Sequence, residues 1–210
     1  NDYDIGLAFD GDADRLIAVD SNGRLIDGDY ILYIGSRYLK EVNQLNKNMC
    51  VTTVMANLGL YKALDANKID YIQTPVGDKY VYEEMQKHHY SLGGEQSGHI
   101  IYYDYEKTGD GLFTALQILK VMKETGKSLE ELCEGLFIYP QLLQNVRVKD
   151  KEKALHDQDL QAVVDQVAEE LGNEGRILVR PSGTEPLVRV TGKHILISRS
   201  EERRVGKECR

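Results

Sequence analysis

A chain of 210 residues with 41% apolar content can build one large or two small buried cores, so a folded soluble protein is expected. A net charge of −8 and a pI near 5.2 argue against nucleic acid or an anionic membrane as the main partner, although a local basic pocket remains compatible with a phosphate ester. Cys50, Cys133 and Cys209 are far apart with no C-x-x-C pair, which excludes a disulfide framework or zinc ribbon and fits a reducing cytoplasm. No apolar run approaches the roughly 18 residues of a membrane span, and no secretory leader opens the chain.

Taken in chain order, Ile5–Phe9 and Leu16–Val19 read as two short buried strands around Phe9-Asp10-Gly11-Asp12-Ala13-Asp14-Arg15. Three carboxylates at alternate positions repel one another unless a cation lies among them, which makes Asp10, Asp12 and Asp14 candidate ligands of a divalent metal. The spacing begins like a calcium-binding helix-loop-helix motif. Its sixth position is Arg15 rather than glycine and its twelfth is Ser21 rather than glutamate, so that reading fails. A hard Mg²⁺ held by carboxylates and phosphate oxygens suits the motif better, with Arg15 on the same phosphate.

Asp27 or Asp29 is expected to cap a helix carrying Ile31, Ile34, Tyr38, Val42 and Leu45 at helical spacing. Cys50–Met55 then reads as strand, Leu58–Asn67 as helix, Tyr71–Thr74 as strand and Asp78–His88 as helix, with Asp78 as its natural cap. Leu92 and His99–Tyr103 are strands on either side of Gly93-Gly94-Glu95-Gln96-Ser97-Gly98, whose polar groups suit vicinal sugar hydroxyls. Gly77, Asp78 and Lys79 form a strand-to-helix junction of similar promise. A long helix to Gly126 and a capping box at Ser128 follow. Alternating strands and helices predict parallel βαβ units in an α/β layer.

After Tyr139-Pro140 the pattern changes to strand, helix, strand, strand, a separate small α+β domain. Its helix carries Leu160, Val163, Val164, Val167, Ala168 and Leu171 and stops at Gly172. Arg180-Pro181-Ser182-Gly183-Thr184-Glu185-Pro186 with Arg189 downstream reads as an anion nest: hydroxyl donors, a glycine that exposes backbone N–H groups, and two guanidinium forks.

In this order the loops resemble the α-D-phosphohexomutase superfamily. The metal loop matches Asp10 to Arg15, the sugar loop Gly94 to His99, and the phosphate loop Arg180 to Pro186. Val76 to Val81 and Gln96 look more like its bacterial glucosamine branch, the phosphoglucosamine mutases, than the phosphomannomutase/phosphoglucomutase branch. The resemblance implies a remnant of a second domain in residues 1–23, an α/β third domain in 24–138, a fourth α+β domain in 139–192 and a non-native tail in 193–210. It implies interconversion of glucosamine 6-phosphate and glucosamine 1-phosphate through a phosphoserine and a sugar bisphosphate, with Mg²⁺ as cofactor and a homodimer for the complete enzyme. Arg15, Lys79 and His99 are then the catalytic candidates; Gly77, Asp78, Glu95, Ser97, Arg180, Ser182, Gly183, Thr184 and Arg189 are the substrate-binding ones. The phosphoserine has no counterpart in this sequence, so these residues alone are expected to be inactive. Residues 1–23 hold too few strands for a sheet of their own and are expected to be poorly ordered. Two alternatives remain open: a mutase for another hexose, and a sugar-phosphate-binding module without transfer chemistry.

Overall fold

A computed structural model describes residues 3–172, 175–182 and 185–194, and the chain divides into two compact units, residues 1–137 and 138–210. In the first unit, strands β1 (Ile5–Phe9) and β2 (Leu16–Asp20) form an antiparallel hairpin with Phe9 opposite Leu16. Strand β3 (Leu25–Ile26) pairs with the far side of β2 and supplies the third strand absent from the two-strand reading. Leu16, Ala18 and Asp20 face inward from β2. The buried Asp20 carboxylate is satisfied locally: it accepts the Asn22 and Arg24 N–H groups and the Arg24 Nε at 2.9 Å. β1, expected to be buried, exposes most of its residues, including Leu7 and Phe9, because only one of its edges is paired within the described sheet.

Asp27 caps helix α1 (Gly28–Glu41) by accepting from the Asp29 and Tyr30 N–H groups. Beyond it lies a four-stranded sheet of β4 (Met49–Thr53), β5 (Asp70–Thr74), β6 (Leu92–Gly94) and β7 (Ile100–Tyr102), in the order β5-β4-β6-β7. β4 runs parallel to β5 and β6, while β7 is antiparallel to β6; the sheet is mixed, not purely parallel. Alternation along β4 and β7 sorts side chains between its faces. Cys50 and Tyr102 join the main core with Leu16, Ile26, Ile31, Ile34 of α1, Leu60 and Leu64 of α2 (Leu58–Ala66), and Ile118 of α4 (Gly111–Thr125). Val51 and Ile101 point the other way, onto Val81 and Met85 of α3 (Asp78–His88). Helix α5 (Leu129–Leu132) begins with the expected reciprocal capping box between Ser128 and Glu131. The result is an α/β/α sandwich whose core also takes in the hairpin.

The second unit is an antiparallel sheet, β8-β10-β9, built from β8 (Gln141–Arg147), β9 (Gly175–Pro181) and β10 (Leu187–His194), with β10 in the centre. The sequence pattern missed α6 (Lys151–Leu155), a helix too short for periodicity to reveal. α7 (Gln158–Leu171) half-buries Leu160, Val164, Val167 and Leu171 and leaves Val163 exposed, a narrower stripe than the composition suggested. The tail from 195 onward lies outside the described residues.

Because Leu16 is fully buried in the main core, Leu16→Ala is expected to lower the stability of the first unit by about 2–5 kcal/mol in urea denaturation. A loss within about 0.5 kcal/mol, the range of ordinary surface substitutions, would show that β2 is not packed there.

Candidate active site

The aspartate motif closes a tight turn between β1 and β2. The Ala13 N–H donates to the Asp10 carbonyl at 3.2 Å, and Ala13 adopts a left-handed φ of 59°. The turn brings Asp10, Asp12 and Asp14 together, with one ligand atom of each within 4.8 Å of the others. Arg15 donates its backbone N–H to Asp10 Oδ1 at 3.3 Å, and its Nε lies 3.7 Å from Asp10 and 3.9 Å from Asp14. Asp14 Oδ1 is buried without a hydrogen-bond partner. An orphaned carboxylate oxygen beside two further carboxylates is costly unless a cation completes it, and an all-oxygen donor set fits a hard divalent ion.

The glycine loop between β6 and β7 is stitched to this turn and to the start of α1. The Leu16 N–H donates to the Gly98 carbonyl at 3.1 Å, and the Gly28 N–H to the Gln96 carbonyl at 3.0 Å. Gly98 has φ +93°, a conformation that side chains rarely adopt, with the Leu16 backbone packed against it. Gln96 Nε2 donates to Asp27 Oδ2 at 3.2 Å. Burial pushes the Asp27 carboxyl above the ordinary carboxylate range, against the pull of the Tyr30, Gln96 and Asp29 hydrogen bonds. The Gly77 N–H donates to Glu95 Oε1 at 3.0 Å, so two loops separated by 17 residues in the chain meet at one carboxylate.

The outcome is a cleft of about 380 Å³ lined by Arg15, Thr53, Met55, Val76, Glu95, Gln96 and Ser97. It collects Arg15, Glu95 and Ser97 as the sequence suggested. Thr53 and Met55 were not singled out, and Val76 only as part of the segment Val76 to Val81; their shared signal was position, since they follow or end the parallel strands β4 and β5, where α/β sheets place ligands. Asp78 is an exposed first residue of α3 rather than its cap, which is Gly77 with φ 130°. Lys79 is exposed and ion-paired to Glu83 at 3.7 Å, and it does not line the cleft. His99 is buried behind the loop, with Nδ1 3.0 Å from Asp14 Oδ2 and Nε2 accepting the Gly109 N–H at 3.0 Å. Both ring nitrogens are engaged, which fixes the orientation of the ring. Burial pushes the Cys50 and Cys133 thiols up to about 12, so neither is a nucleophile at neutral pH.

In the second unit, Arg180 and Arg189 sit directly opposite each other on β9 and β10. The Nε of each is buried without a partner, and burial together with the Arg189 charge lowers the Arg180 pKa. Like charges held face to face in a sheet are unfavourable, and an anion relieves the repulsion. Glu185 partly fills that role, 3.5 Å from Arg189. Ser182 is almost wholly buried, and its Oγ accepts the Glu185 N–H at 3.3 Å. Lys151, missed in the sequence, adds a third cation by donating Nζ to the Ser182 carbonyl at 2.8 Å. Gly183 and Thr184, named as ligands from the sequence, lie outside the described residues.

Family models agree with this division. Residues 27–139 match the phosphoglucomutase/phosphomannomutase alpha/beta/alpha domain III, and residues 143–191 match the C-terminal domain of the same family. The chain belongs to the phosphoglucomutase/phosphomannomutase family. It is 59% identical over 187 residues to a phosphoglucosamine mutase of Geobacillus kaustophilus and 60% identical over 187 residues to one of Shouchella clausii. Each match covers 89% of this chain and 42% of the relative, so the chain spans less than half the length of these relatives. Among solved structures, an Aspergillus fumigatus N-acetylphosphoglucosamine mutase in complex with GlcNAc-6P and magnesium superposes with a TM-score of 0.79 at 22% identity, covering 96% of this chain and 50% of the other. A Burkholderia thailandensis phosphoglucomutase/phosphomannomutase family protein superposes with a TM-score of 0.76 at 25% identity, covering 98% of this chain and 45% of the other. At such identities these likenesses concern the fold.

Gln96→Met removes the donor that meets Asp27 and leaves a largely buried carboxylate oxygen without it. The expected result is a loss of about 1–3 kcal/mol in stability, with faster amide exchange at Gly28, whose N–H the same residue accepts. Unchanged exchange at Gly28 would show that the clamp does not hold the loop.

Proposed function

We propose that these residues form the metal-, sugar- and phosphate-binding part of a phosphoglucosamine mutase. The enzyme interconverts glucosamine 6-phosphate and glucosamine 1-phosphate through a phosphoserine and a sugar bisphosphate, and feeds amino-sugar nucleotide and peptidoglycan precursor synthesis in the cytoplasm. The observation that carries the reading is the convergence of Arg15, Glu95 and Ser97 on one cleft beside the aspartate turn. The identity to phosphoglucosamine mutases supports the choice of sugar.

Asp10, Asp12 and Asp14 would hold Mg²⁺, which when bound offsets charge on a phosphoryl group as its bond loosens. Arg15, partly exposed and loosely paired, turns its guanidinium to the same phosphate without breaking a close ion pair. Glu95 keeps one oxygen on the Gly77 N–H and offers the other to a sugar hydroxyl, while the exposed Ser97 hydroxyl both donates and accepts. Gly77 and Asp78 border the same loop. Arg180, Ser182, Gly183, Thr184 and Arg189 take the phosphate that does not react, so its binding energy orients the reacting end. The transferable phosphoryl group comes from a serine outside these 210 residues.

Calorimetry on the 210-residue chain tests this reading. Glucosamine 1-phosphate and glucosamine 6-phosphate are expected to bind with similar affinity and more tightly than the glucose and mannose phosphates. Arg180→Ala is expected to weaken both by about tenfold or more, the loss of one charge-assisted pair. Equal binding of all the hexose phosphates would remove the assignment of the sugar. A mutase assay with bisphosphate activator is expected to show no turnover by these residues alone, and sustained turnover would overturn the external phosphoserine.

A further inference from the structure

The first turn of α1 touches both walls of the cleft. Asp27 and Gly28 hold the sugar loop, through the Gln96 side chain and the Gln96 carbonyl. A Cβ at Gly28 would lie 1.9 Å from the Glu95 carbonyl oxygen, so helix and loop are in direct backbone contact there. Asp29 reaches the other wall. Each helical residue turns about 100°, which sends side chains two positions apart to opposite sides. The Asp29 carboxylate is fully buried, and its Oδ2 accepts the Asn57 N–H at 2.7 Å. Asn57, also fully buried, caps α2 by accepting the Gly59 N–H at 2.9 Å. Just before it in the chain stand Thr53 and Met55, which line the cleft.

The turn at residues 53–57 places each of its N–H groups after Thr53. Val54 donates to the Thr74 carbonyl at 2.9 Å, Met55 to Thr53 Oγ1 at 3.3 Å and Ala56 to the Thr53 carbonyl at 3.0 Å. The first of these ties the turn to β5, and the other two close it on itself. The Asn57 bond carries it across to α1. A buried carboxylate is a costly way to fill core space, and here the positive end of α1 and the donated N–H offset that cost. We propose that Asp29 is a positioning residue: it fixes the Thr53 and Met55 wall to the same helix turn that clamps the sugar loop, and so sets the spacing across the cleft. Its effect on sugar-phosphate binding rests on the proposed function; its effect on the wall does not. A wall set loose must be ordered again when a sugar binds, which weakens affinity by roughly 2- to 10-fold for each side chain immobilised.

Methyl NMR of the 210-residue chain labelled at methionine reads the wall directly, because Met55 lines the cleft while Met85 lies in the core on the other side of the sheet. Asp29→Leu keeps the volume and removes the acceptor. In it the Met55 signal is expected to move and the Met85 signal to stay, with glucosamine 1-phosphate bound roughly 2- to 10-fold more weakly in calorimetry. Asp29→Asn keeps an oxygen for the Asn57 N–H and is expected to restore the Met55 signal and most of the affinity. Asp29→Ala, whose vacated space admits a water for that N–H, serves the same readouts should Asp29→Leu not fold. In the parent, the Asn57 amide is expected to exchange slowly with solvent. Fast exchange there, an unmoved Met55 signal or unchanged affinity without the acceptor, equal displacement of Met55 and Met85, or no recovery in Asp29→Asn would overturn the proposal. If the parent binds no hexose phosphate while Met55 responds as stated, the proposed substrate fails and the positioning of the wall by Asp29 stands.

Discussion

The first unit depends on how the loop from Glu95 to His99 is held. Its backbone receives the Leu16 N–H at Gly98 and the Gly28 N–H at Gln96, and its side chains reach Gly77, Asp27 and Asp14. These partners come from three parts of the chain: the aspartate turn and the start of β2 (Asp14, Leu16), the start of α1 (Asp27, Gly28) and the turn before α3 (Gly77). A net hydrogen bond contributes only about 1 kcal/mol, so no single strut explains the geometry. What matters is that the struts converge on five residues and leave the loop few alternative conformations. The aspartate turn and the sugar loop are then fixed relative to each other by direct bonds rather than by the general packing of the core.

The two units keep opposite charges under comparable tension. In the first, three carboxylates crowd one turn with a single nearby guanidinium that touches none of them closely. In the second, two arginines face each other across a strand pair with buried, unpaired Nε atoms. Asp10 and Asp12 are exposed, so the cost falls on the buried, unpaired atoms, Asp14 Oδ1 and the two arginine Nε groups. On the proposed function, the first cluster takes a cation and the second an anion. Glu185, an exposed carboxylate 3.5 Å from Arg189, offsets part of this like-charge repulsion.

Much of this was legible from residue order. Helix boundaries followed local signals that act within one turn, which is why Asp27, Ser128 and Gly126 marked their ends correctly. The acidic turn and the arginine loop were legible because charge clustering is itself a local anomaly. Failures came where the decision was non-local. β1 has an apolar composition yet lies exposed, since burial depends on which strands sit beside it and not on its own residues. The sheet turned out mixed because β7 returns beside β6 after a loop of five residues, too short for a crossover. Thr53, Met55 and Lys151 carry no motif, and only the fold brings them to their sites.

His99 and Lys79 mark the same boundary more sharply. By sequence both are ionisable groups flanking glycine loops, and nothing local separates them from an acid or a base. The structure separates them by position. Lys79 is solvent-exposed, paired with Glu83 and away from the cleft lining. His99 is buried at the end of the loop, with Nδ1 beside Asp14 and Nε2 beside the Gly109 N–H, so its ring orientation is fixed by two neighbouring segments. Glu95 stands between these extremes, with Oε1 held by the Gly77 N–H and the carboxylate lining the cleft, and no feature of the sequence distinguishes these three environments.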